Sequence, residues 1–275
     1  MTKKEKKMRR TILTVLAAVI TFSLSAQDLT ILHFNDTHSH IDPQRSGELQ
    51  GRGGVIEQAA YIDQVRAEEG RRNVLLVHAG DFGQGTSYFT ELGGNIEIDV
   101  MNAMGYDVVT LGNHEFDNGT AELARRLKNL KADVVCANYD FTGTSLEGIV
   151  KPYTILRRGG KKIGVIGLLT DVASVVDLSM AQGIVYQEPA PVANELADYL
   201  KNRKKCDLVI CLSHLGHGAD RRLAGQIRNV DIIVGGHSHT HLDDIHHETD
   251  LDGKDVKIVQ NWKWGLNVGK LTLDF

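Results

Sequence analysis

Five short segments constrain this chain more than any other feature. Each sets Asp, His or Asn in the polar stretch at the end of an apolar run: Asn35-Asp36-Thr37-His38-Ser39-His40, Ala79-Gly80-Asp81, Gly112-Asn113-His114-Glu115-Phe116-Asp117, Leu212-Ser213-His214 and Gly235-Gly236-His237-Ser238-His239. The runs before them, such as 29–34, 74–77 and 207–212, read as buried strands. In α/β sheets the loops beyond the carboxyl ends of strands converge on the ligand crevice. Side chains from these five loops are therefore expected to meet at one point. Asp-x-His and His-x-His set two donors on one side of an extended backbone, because strand side chains repeat every second residue. Asp81, with two oxygens that point apart, can bridge two cations. Imidazole with carboxylate suits Zn, Mn and Fe. Two ions about 3.5–4 Å apart stabilise both the attacking and the leaving oxygen of a displacement.

Between the strands lie helical spacings at 55–69, 95–104, 121–130, 191–202 and 219–227. Two strands, 153–157 and 162–168, flank Arg158-Gly159-Gly160-Lys161, a hairpin signal. Beyond residue 250 only strands remain, at 256–260 and 268–275. This alternation predicts an α/β fold, with one mixed sheet or two sheets packed together. No Pro- or Ser-rich linker divides the chain, so residues 27–275 read as one domain.

The loop residues resemble the calcineurin-like metallophosphoesterase superfamily. Leu32-His33-Phe34-Asn35-Asp36-Thr37-His38 and Gly112-Asn113-His114-Glu115-Phe116-Asp117 are similar to motifs of its 5'-nucleotidase, UDP-sugar hydrolase and 2',3'-cyclic nucleotide phosphodiesterase family. The segment 268–275 resembles the strand that closes that family's catalytic domain. The resemblance implies a four-layer α/β/β/α sandwich of two mixed sheets, the metallophosphoesterase fold. It implies that Asp36, His38 and His239 hold a first divalent ion, that Asn113, His214 and His237 hold a second, and that Asp81 bridges them. Zn or Mn heads the expected metals, with Mg, Fe, Ca or Co as alternatives. His114, with Asn113, would meet the substrate phosphate, and Asp117 would orient and charge-stabilise His114. The implied reaction is hydrolysis of a phosphate monoester by a metal-bridging hydroxide, with His114 assisting.

A nucleoside 5'-monophosphate is the first expected substrate, and a cyclic nucleotide or a UDP-sugar the alternative. Two-domain members of the family carry their nucleobase-stacking aromatics and phosphate-binding arginines in a further C-terminal domain. The catalytic or binding subunit of a split enzyme, working with a separate C-terminal-domain protein, is therefore a rival reading. A formal net charge of -4 and 6% aromatic residues argue against nucleic acid as a partner.

Residues 1–26 hold six Lys/Arg against a single acid, Glu5, and then an apolar run. With Ser25-Ala26 after it, this reads as a secretory signal peptide, the alternative being an uncleaved anchor. No stable membrane span is expected after cleavage, and a periplasmic or secreted location follows. Cys136, Cys206 and Cys211 lie in apolar runs and read as small buried hydrophobes. His33 and His78 are expected to pack or to support ligands, and His40 and His217 to line the site or face solvent. His241, His246 and His247 are expected in a surface turn beside Asp243-Asp244. Trp262 and Trp264 are expected to pack at an edge.

Overall fold

The computed structural model describes residues 28–177 and 179–275. The signal-peptide reading of residues 1–26 lies outside them. Among the described residues, thirteen strands and six α-helices follow one another as β1 (Leu29–Phe34), α1 (Val55–Glu69), β2 (Val74–His78), α2 (Ser87–Leu92), α3 (Asn95–Met104), β3 (Val108–Thr110), α4 (Gly119–Leu127), β4 (Asp133–Val135) and β5 (Tyr139–Asp140). They continue as β6 (Tyr153–Arg158), β7 (Lys161–Leu169), β8 (Val185–Tyr186), α5 (Pro189–Asp198), β9 (Leu208–His214), α6 (His217–Ala224), β10 (Ile232–Gly235), β11 (His246–Thr249), β12 (Asp255–Val259) and β13 (Gly269–Leu273).

Two large sheets form. One runs β13-β1-β2-β3-β4, the other β11-β12-β10-β9-β7-β6. Their central strands pair in parallel, and β13, β11 and β6 pair antiparallel, so both sheets are mixed. The strand sequences explain the stacking. In β1, Leu29 and Ile31 face the second sheet, while Leu32 and Phe34 face helices α1 and α3. In β9, Ile210 and Leu212 face the first sheet, while Val209 and Cys211 face α5 and α6. Strands apolar on both faces must be covered on both, which is why they read as continuous apolar runs rather than alternating ones. The result is a four-layer α/β/β/α sandwich. Between the sheets Ile31, Leu75, Val77, Val165 and Val234 are fully buried. Truncating Ile31 or Leu75 to Ala costs about 2–5 kcal/mol.

Several local expectations change. The helix expected at 191–202 starts two residues earlier, because Pro189 is tolerated in a first turn whose N–H groups need no partner. It then closes in a π-helical turn, Tyr199–Arg203. His246 and His247 stand in edge strand β11 rather than in a turn, paired with Ile258 and Lys257. Helix α2 and the small β5–β8 pair are not legible in the sequence, being too short to show a period. Cys136, Cys206 and Cys211 are free and buried. No helix among the described residues is long and apolar enough to cross a membrane.

Candidate metal centre

β1, β2 and β3 of the first sheet and β9 and β10 of the second end on the same side of the sandwich. Their five following segments bring the expected residues together. The ligand atoms of Asp36, His38 and His239 lie within 4.8 Å of one another, and so do those of Asp81, His214 and His237. In the first group His38 Nε2 and His239 Nε2 are 3.0 Å apart, and Asp36 Oδ1 is 3.4 Å from His239 Nε2 and 3.9 Å from His38 Nε2. In the second, Asp81 Oδ2 is 3.1 Å from His214 Nε2, and Asn113 Oδ1 lies 3.0 Å from His237 Nδ1. Asp81 Oδ2 is also 3.8 Å from His38 Nε2, so one oxygen faces both groups. Asp81 Oδ1 instead accepts the backbone N–H of His114 at 2.9 Å. The two oxygens therefore divide between the groups' shared space and the backbone, not between two ions. Converging imidazole nitrogens, carboxylate oxygens and an amide oxygen fit divalent Zn, Mn or Fe.

The backbone here departs from the extended form assumed for the Asp-x-His and His-x-His pairs. Asp36, His38, Asp81, His237 and His239 have φ of 49°, 47°, 56°, 72° and 52°. Left-handed φ is uncommon outside glycine and persists where surroundings over-determine it. The surroundings do so here. Asp36 N donates to Gly80 O, His38 N to Asp81 O and Ser39 N to Phe82 O, lacing the β1 loop onto the β2 loop. The second sheet joins through His237 N, which donates to both oxygens of Asp36 at 3.1 and 3.0 Å. His237 and His239 consequently fall into different groups. Gly80 and Gly236 allow the crowding: a Cβ on either would lie within 2.8 Å of His214 Nδ1.

Burial and charge tune the site. Asp36 and His214 are fully buried. Burial pushes the His38 imidazole down to about 4 against the pull of Asp81 and Asp36. For His214 burial also lowers the pKa, but Asp81 and then Asp36 together outweigh it and hold it up at about 10. His214 Nδ1 lies 2.7 Å from the Ala79 carbonyl, which fixes that nitrogen as the donor and turns Nε2 toward Asp81. At the rim, His114 Nδ1 is 2.9 Å from Asp117 Oδ2, and their side chains are 32% and 26% exposed. The Asp117 hydrogen bond raises the His114 pKa above its ordinary value.

Two buried side chains that the sequence reading passed over hold the loops. Glu115 accepts the backbone N–H groups of Asp81, Gly83 and Gly112 at 2.8, 3.0 and 2.6 Å. Gln260 donates to Gly236 O at 2.6 Å and accepts from Thr240 N at 2.7 Å and Ser238 Oγ at 2.9 Å, which pins the His237–His239 turn. The Glu beside Asn113-His114 was a visible signal for the first, and nothing local marked the second. Of the other histidines, His33 and His78 are buried. His78 Nε2 is 3.0 Å from Thr37 Oγ1 and supports the ligand loop. His40 stacks on Trp264 and His241 on Trp262.

Residues 29–241 match the family model described as calcineurin-like phosphoesterase. The chain belongs to the calcineurin-like phosphoesterase family. Within curated proteins it is 34% identical over 270 residues to a snake venom 5'-nucleotidase of Naja atra, covering 90% of this chain and 50% of that protein. It is 32% identical over 288 residues to the 5'-nucleotidase of Homo sapiens, covering 96% of this chain and 50% of that protein. The crystal structure of a 5'-nucleotidase precursor from Thermus thermophilus superposes with a TM-score of 0.83 at 37% identity, over 90% of this chain and 51% of that one. This phosphoesterase chain thus spans about half the length of the curated relatives it matches.

Proposed function

We propose that this domain hydrolyses phosphate monoesters, nucleoside 5'-monophosphates foremost, with two divalent ions. Asp36, His38 and His239 would hold one, and Asn113, His214 and His237 the other, with Asp81 shared. The observation that carries the reading is the single oxygen Asp81 Oδ2, set between His214 Nε2 at 3.1 Å and His38 Nε2 at 3.8 Å. Family membership supports the phosphoester, and the 5'-nucleotidase relatives support the nucleotide.

What bound ions would supply is Lewis-acid charge against phosphoryl oxygens and a water acidic enough to attack near neutral pH. The chain's own groups do the rest. The buried carboxylates of Asp36 and Asp81 keep the loops' imidazoles aimed inward. His114, its Nδ1 taken by Asp117, has Nε2 left for the phosphate or the leaving oxygen. Raised by Asp117, it stays protonated to higher pH than a free imidazole, which suits it to give a proton to the departing alkoxide. Its side chain is partly exposed beside a buried floor, so the phosphate would enter from the rim.

The test is turnover of AMP and of p-nitrophenyl phosphate by purified protein loaded with Mn2+ or Zn2+, beside ion counting. Hydrolysis of both with two ions per chain is the expected result. Hydrolysis of a cyclic nucleotide or a UDP-sugar in preference to AMP moves the substrate assignment. AMP turnover only after adding a separate nucleotide-binding domain supports a two-protein enzyme. Asp81→Ala is expected to bind neither ion, and a variant with full ion content refutes the shared carboxylate. Export to the periplasm or medium, carried by the basic and apolar residues 1–26, belongs to the same proposal.

A further inference from the structure

Asn35 immediately precedes Asp36 and is 2% exposed. Its amide is used three ways. Nδ2 donates to Asp36 Oδ2 at 2.6 Å and to the Trp262 carbonyl at 2.7 Å, and Oδ1 accepts from Asn261 N at 2.8 Å. The loop after β12 returns a further bond, from Trp264 N to the Asp36 carbonyl at 2.7 Å. Trp262 and Trp264 have φ of 54° and 60°, which bulky residues hold only under constraint from their surroundings. The Asp36 carboxylate is thereby divided. His237 N donates to both oxygens, Oδ2 alone takes the Asn35 amide, and Oδ1 faces His239, His38 and His214 at 3.4, 3.9 and 3.9 Å. None of the three Asn35 bonds reaches Asp81, Asn113, His214 or His237.

We propose that Asn35 is a positioning residue foremost for the first ion group, orienting the Asp36 carboxylate so that Oδ1 is offered to an ion. The inference rests on the two-ion reading above. A ligating carboxylate whose second oxygen is held by a hydrogen bond keeps its orientation, and losing such a partner typically costs about 10–100-fold in ion affinity. Asn35 also ties Asp36 to the Asn261–Trp262 backbone, so its loss frees the carboxylate to turn.

The test compares wild type, Asn35→Ala and Asn35→Asp with Asn138→Ala. Asn138 is a buried amide of similar connectivity, bonded to Leu169 and Gln187 and to neither group. Calorimetric titration with Mn2+ reads the two affinities, electron paramagnetic resonance reads whether the ions form a coupled pair, and thermal unfolding reads stability. Expected for Asn35→Ala is a first-site affinity lowered about 10–100-fold with a smaller loss at the second. Uncoupled Mn2+ should then appear at concentrations where wild type shows a pair. Asn138→Ala is expected to lower the melting temperature and leave both affinities alone. If Asn35→Ala does not fold, the isosteric Asn35→Asp carries the comparison, since it keeps the volume and sets a carboxylate against Asp36. Wild-type affinities in a folded Asn35 variant, or equal loss at both sites, overturns the role of Asn35. Wild type binding a single ion overturns the two-ion reading and this inference with it.

Discussion

At the scale of single residues, the site separates side chains that would hold ions from side chains that would meet substrate. His114 offers no atom to either ligand group, and its Nδ1 is committed to Asp117. His114→Ala should therefore keep its ion content and lose about 10²–10⁴-fold in kcat, the usual size of a proton-transfer contribution. Ion counting alongside the assay checks it, and loss of ions would put His114 among the ligands. Asp117→Asn removes the group that raises the His114 pKa most, leaving Asp81 and Glu115 to raise it against burial. The imidazolium then persists only to lower pH. The alkaline limb of the kcat/KM profile should move to lower pH, and an unmoved limb would assign the proton elsewhere. The sequence displayed the types and order of these residues, because Asp, His and Asn at strand ends can be read locally. It did not display Glu115 or Gln260 as clamps, because all but one of the partners described are backbone N–H and C=O groups, which every residue carries.

At the scale of elements, sequence period located the long strands and helices, and left-handed Gly93 and Gly105 close α2 and α3. Arg66 of α1 is an example of support that no period reveals. It is buried, and its Nη1 and Nη2 donate to the Met104 and Gly105 carbonyls at 2.5 and 2.8 Å, at the carboxyl end of α3. A cation there satisfies orphan carbonyls and opposes the helix dipole. Arg66→Met keeps the apolar stem and removes the donors. It should lower unfolding free energy by about 1.5–3 kcal/mol, the range for hydrogen bonds to charged groups. Urea denaturation reads the change, and a loss near zero would mean that water replaces the guanidinium without cost. His246 and His247 escape the sequence reading for the opposite reason. An edge strand of four residues reading His-His-Glu-Thr carries no apolar alternation to detect.

At the scale of the whole molecule, the two sheets are joined at one end by the segments that carry the candidate ligands. Asp36 and His237 lie 201 positions apart in the chain and meet through a backbone N–H, with one on each sheet. Ions bound between the groups would clamp the sandwich, since a ligand that binds only the folded state adds about 2.7 kcal/mol when present at a hundredfold its Kd. Chelation should therefore lower the melting temperature and Mn2+ should restore it, equally in wild type and in His114→Ala. A melting temperature indifferent to both would mean that the groups hold no ion. From its residues alone this chain determined a layered α/β fold, because strands apolar on both faces demand cover on both, and it determined which loops carry metal-type donors. Only the tertiary structure decided that one Asp81 oxygen faces both groups, and that five candidate ligands stand at left-handed φ. Periodicity records the face a side chain takes within its own element. Which donors share an ion depends on how two sheets, formed from distant stretches of chain, are pressed together.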